Sequence, residues 1–114
     1  MRLSLPLLLA ACPAIADPAR IVDAAADRSG DDWRVSVTLE HGDTGWDDYA
    51  DGWRVETEGG TVLGRRDLVH PHVNEQPFTR STTLPIPDDM ARVYIRARTL
   101  NDGWGTDRLA LELP

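Results

Sequence analysis

Trp33-Arg34-Val35-Ser36-Val37-Thr38-Leu39-Glu40 decides the fold. Trp33, Val35, Val37 and Leu39 alternate with polar neighbours, the period of two expected of a strand with one buried and one wet face. The same alternation sets Trp53 and Val55 against Arg54 and Glu56. It sets Val93, Ile95, Ala97 and Thr99 against Arg92, Tyr94, Arg96 and Arg98, and Leu109, Leu111 and Leu113 against Arg108, Ala110 and Glu112. Weaker strand candidates lie at 21–26, 61–66 and 78–84. Turn formers separate them: Ser29-Gly30-Asp31-Asp32, Glu58-Gly59-Gly60, Pro85-Ile86-Pro87-Asp88-Asp89 and Asn101-Asp102-Gly103. No segment sustains helical apolar spacing, which excludes βαβ units. Seven short strands at this spacing predict an all-β, seven-stranded antiparallel immunoglobulin-like sandwich.

The chain has 114 residues, with 12 basic against 19 acidic and a net charge of −7. So acidic a surface repels phosphate backbones and anionic lipid, which argues against nucleic acid as a partner. Arg2, the apolar stretch that follows it, and Ala14-Ile15-Ala16 before Asp17 read as a signal peptide over 1–16, leaving one domain over 17–114. The apolar stretch is too short to span a bilayer. Leu9-Ala10-Ala11-Cys12 also fits a lipobox, so a lipid anchor on Cys12 is the alternative to simple cleavage after Ala16. A periplasmic or secreted monomer is expected, or one lipid-anchored at the envelope. Cys12 is the sole cysteine, so stability must come from packing alone.

Val93-Tyr94-Ile95-Arg96-Ala97-Arg98, running into Asn101-Asp102-Gly103-Trp104-Gly105, resembles the F–G hairpin of fibronectin type III domains. That resemblance implies that Trp33 and Trp53 are core tryptophans, and it implies no activity. The segment from His70 to Phe78, His-Pro-His-x-x-Glu-Gln-Pro-Phe, is similar to one found in small exported proteobacterial proteins and implies no mechanism.

Antiparallel strands reverse direction, so every second connection falls at the same end. The loops 41–51, 67–77 and 100–106 (B–C, C′–E and F–G in that nomenclature) therefore share one end. Binding residues concentrate on loops held by a rigid scaffold. Trp46, Tyr49, His70, His72, Glu75 and Trp104 are the candidate contacts for an unknown protein or small ligand, the aromatic ones because such side chains carry interface energy.

Imidazoles and a carboxylate suit Zn²⁺ or Cu²⁺, so His41, His70, His72 and Glu75 form the alternative metal set. Asp43, Asp47, Asp48 and Asp51 offer oxygens for Ca²⁺ but lack the alternating order of an EF-hand loop. Arg54, Arg96 and Arg98 should share an outer sheet face and pair with Glu56 and Glu112. No nucleophile motif or phosphate-cradling loop is present. The sequence predicts a non-enzymatic binding module with no resident cofactor.

Overall fold

The computed structural model describes residues 16–114. The leader reading over 1–16 and the lipobox at Cys12 fall outside them, apart from Ala16. Eight strands form: β1 (Arg20–Ser29), β2 (Asp32–Glu40), β3 (Ala50–Glu56), β4 (Val62–Asp67), β5 (Phe78–Leu84), β6 (Arg92–Thr99), β7 (Gly103–Trp104) and β8 (Leu109–Glu112). There is no helix among the described residues. Seven strands were expected. The eighth arises because Gly103, at φ 72°, turns the chain back so that Gly103 and Trp104 pair with Thr99 and Arg98 as a short strand of their own before β8.

All pairings are antiparallel, in a three-stranded sheet of order β1-β2-β5 and a five-stranded sheet of order β4-β3-β6-β7, with β8 also on β6. The inward residues of β2 and β6, namely Trp33, Val35, Val37, Leu39, Val93, Ile95 and Ala97, are all buried as their alternation predicts. Trp53, Val55, Phe78 and Leu84 complete the core between the sheets.

Three strands carry an extra residue that breaks strict alternation, β4 doing so at Leu63, where the pairing steps from Val55–Gly64 to Glu56–Val62. In β1 a bulge between Ile21 and Asp23 shifts the inward set from Ile21 to Ala24 and Ala26. In β3 a bulge between Ala50 and Gly52 lets both Ala50 and Trp53 face the core. An extra residue on one strand flips the parity of everything beyond it.

Gly64 on β4 marks a close approach between the sheets. A Cβ there would sit 3.0 Å from Leu84 Cδ1 and 3.1 Å from Leu84 Cβ on β5. Gly64→Ala is expected to lower stability by about 1–2 kcal/mol through overpacking. Chemical denaturation would read this as a lower midpoint at an unchanged slope. A midpoint equal to wild type would show that the contact relaxes freely.

Candidate functional site

The three long connections do meet at one end. Leu68 N–H donates to Asp51 carbonyl at 3.0 Å, and Leu100 N–H to Tyr49 carbonyl at 3.0 Å. The first two are also joined by a buried polar network centred on Asp43. As the chain leaves β2, a tight turn with Asp43 N–H on His41 carbonyl at 2.8 Å folds both side chains inward. Oδ1 of Asp43 accepts from His41 Nδ1 at 2.6 Å and from Ala50 N–H at 3.0 Å, while Oδ2 accepts from His72 N–H at 2.8 Å. Gln76 adds a second stitch: its Oε1 accepts from His41 N–H at 3.0 Å and its Nε2 donates to His72 carbonyl at 2.9 Å. Buried carboxylates persist only when hydrogen-bonded in this way.

The far side of the His41 ring faces the start of the described chain. Nε2 lies 3.1 Å from Asp17 carbonyl, 3.1 Å from Asp17 Oδ2 and 3.8 Å from Asp48 Oδ1. Burial of the ring favours its neutral form. The hydrogen bond to Asp43 and the charges of Asp17, Asp43 and Asp48 outweigh that, holding the His41 pKa above its usual value. His72 behaves in the opposite way. Burial, with Arg80 and His70 adding repulsion, pushes its pKa down. Its ring stacks on Phe78 at 3.9 Å between centroids and lies 4.6 Å from the His70 ring, and neither nitrogen has a hydrogen-bond partner. His72 serves as a flat packing surface.

The remaining candidates are dispersed. His70 and Glu75 are exposed, and Glu75 holds Arg80 at 2.9 Å. Trp46, 66% exposed, meets Tyr49 edge-on at 5.8 Å. Trp104 lies on the outer face of the five-stranded sheet, under the Arg54 guanidinium at 4.1 Å and 5.9 Å from that of Arg98. Among the described residues, the three metal-ligating side chains whose donor atoms converge within 4.8 Å are Asp17, His41 and Asp48; His70, His72 and Glu75 do not join them. Nor do the four aspartates share one centre, since Asp43 is consumed by three N–H donors and Asp51 faces Arg98 at 3.5 Å.

Arg54 and Arg96 pair with Glu56 as expected, whereas Arg98 and Glu112 take other partners. Glu56, whose side chain is 1% exposed, accepts from Arg54 at 2.8 Å, Arg96 at 3.0 Å and Arg108 at 3.3 Å. Arg98 goes to Asp51 and Glu112 to Arg92. Sequence reasoning missed Asp17, Gln76 and Arg108. Of these, only Arg108 carried a signal, since it stands among the polar positions that alternate with Leu109, Leu111 and Leu113.

The chain matches no family model. Over 77 residues, 68% of its length, it is 44% identical to a Halomicrobium mukohataei protein that carries the name "Putative lipoprotein". The match spans 38% of that relative. The crystal structure of a hypothetical protein from Pyrococcus horikoshii OT3 superimposes with a TM-score of 0.58 at 14% identity, covering 85% of this chain and 90% of that one. The two share a fold. No helix among the described residues is long and apolar enough to cross a membrane.

Proposed function

We propose that this chain is an exported, non-enzymatic interaction module that offers the loop end to a protein partner. One observation carries the reading. Of the six large hydrophobic side chains that stand exposed among the described residues, Trp46, Val69, Val73 and Leu100 lie on the three loops that meet there. Beneath them the Asp43 network ties the 41–51 loop to the 67–77 loop, and the Leu100 N–H bond to Tyr49 ties in the third, so the apolar groups are displayed on a hydrogen-bonded support. Preorganised apolar and aromatic groups are what protein interfaces use for affinity.

The sheet partition supports a fibronectin type III-like assignment. β1, β2 and β5 stand as strands A, B and E, with β4, β3, β6 and β8 as C′, C, F and G. Trp33 and Trp53 are both buried, as core tryptophans of such a domain should be. The name of the Halomicrobium relative favours lipidation at Cys12 over simple cleavage after Ala16. Five peptide steps separate Cys12 from Asp17, at most about 18 Å of extended chain. Because Asp17 is bonded at the loop end, a lipid there would hold this end toward the membrane surface.

A photo-crosslinking amino acid placed at Trp46 or Val69 is expected to trap the same protein from intact cells. At Ser36, on the outer face of the three-stranded sheet, it is expected to trap nothing. Adducts that are identical from all three positions, or absent from the first two, overturn the proposal. Trp46→Ala should leave stability within about 0.5 kcal/mol, because the side chain is largely exposed.

A further inference from the structure

We propose that Asp17, His41 and Asp48 form a binding site for one divalent transition-metal ion, with Asp43 orienting the histidine from behind. The donors are of the right kind and spacing. A metal bonded at about 2.1 Å to neighbouring N and O ligands requires those atoms to be about 3.0–3.4 Å apart. His41 Nε2 stands 3.1 Å from Asp17 Oδ2, 3.1 Å from Asp17 carbonyl and 3.8 Å from Asp48 Oδ1. All three donor atoms lie within 4.8 Å of one another, and both carboxylates are partly exposed and free to turn inward on an ion.

The support behind the ring is what distinguishes this group from a chance meeting of surface charges. The His41 side chain is fully buried, so its ring cannot swing away. Nδ1 is bonded at 2.6 Å to Asp43, itself anchored by the Ala50 and His72 amides, which leaves Nε2 as the ligand atom. A histidine held through its other nitrogen by a carboxylate is the usual second-sphere arrangement of metal-bound imidazoles, and it raises ligand basicity. One nitrogen with several oxygens suits Zn²⁺ or Mn²⁺ better than Ca²⁺. On binding, the Nε2 proton leaves to solvent as the nitrogen–metal bond forms, while the Nδ1 proton stays on the hydrogen bond to Asp43.

The test is calorimetric titration of the purified protein with Zn²⁺, alongside ¹⁵N spectra of the histidine side chains. The expected result is one Zn²⁺ per chain, with the His41 Nε2 signal moving and the Nδ1 proton retained. Asp17→Asn and Asp48→Asn are each expected to weaken uptake tenfold or more, and His70→Ala to leave it unchanged. Both aspartates are partly exposed, at 64% and 30%, so these variants should keep the fold, which circular dichroism verifies. The proposal is overturned if the wild type takes up no Zn²⁺ or if both asparagine variants bind as well as it does. Loss of uptake on replacing His70 overturns it as well. None of these outcomes depends on finding a protein partner.

Discussion

Glu56→Gln is expected to cost about 3 kcal/mol, a fall in Tm of roughly 15 °C for a domain of this size. Glutamine has the same shape, so no cavity forms and the loss is electrostatic. Arg54 and Arg96 are directly opposed across β3 and β6, and the Arg108 guanidinium converges on the same carboxylate from the residue just before β8. With Glu56 neutral, three guanidinium groups, each only 20–25% exposed, confront one another without a counter-charge. Breaking a buried pair in this way is far more damaging than its net worth suggests.

The same group governs acid sensitivity. Burial alone would raise the Glu56 pKa, but the hydrogen bonds and charges of Arg96 and Arg54 win, so the folded value lies below the ordinary 4.5. Its contribution is therefore fully present above that pH and drains away as pH falls through the folded pKa. Thermal unfolding of both proteins from pH 7 downward should show the gap between them closing below about pH 4.5. A gap that stays constant to pH 2 would show that the charge is not what matters.

Asp43→Ala is expected to be as severe, about 3–4 kcal/mol, with a different signature. Removing the carboxylate strands three buried donors: His41 Nδ1, Ala50 N–H and His72 N–H. Each unsatisfied donor costs about 1–3 kcal/mol, softened where the loop relaxes to admit water. The damage should stay local first. Hydrogen exchange at the Ala50 and His72 amides is expected to accelerate well before that of Val37 or Ile95 in the central strands. Asp43→Asn keeps an acceptor oxygen and should lose about half as much. Uniform acceleration across all amides would place the effect on global stability and not on the loops.

The strands were legible wherever one side chain of every two meets the core. β2 and β6 run in phase from end to end, so alternation alone located them and named their inward residues. β1 and β3 each carry a bulge, and local sequence does not announce a parity flip that depends on the partner strand. Strand parity also brought the loops 41–51, 67–77 and 100–106 together. It could not say which side chains turn inward there. Asp43 reads like any turn aspartate, and its burial depends on amides supplied by Ala50 and by His72, 29 residues away. Trp104 reads as a loop aromatic, yet the backbone turn at Gly103 lays it on the sheet under Arg54. Asp17 reads as the residue after a cleavage point, and nothing near it in sequence points to His41.

The bulge in β1 bears on how the molecule behaves when many copies are crowded together. Among the described residues β1 is an edge strand, bonded to β2 on one side, and an edge of this kind is where an extended segment of another molecule could join. The bulge puts the stretch before Asp23 out of phase with the stretch after it, so a straight incoming strand cannot satisfy both. Exposed Arg20, Asp23, Asp27 and Arg28 add charges that such a strand would have to bring out of water. A ten-residue edge that would otherwise template fibrils is thereby kept from growing beyond its own sheet.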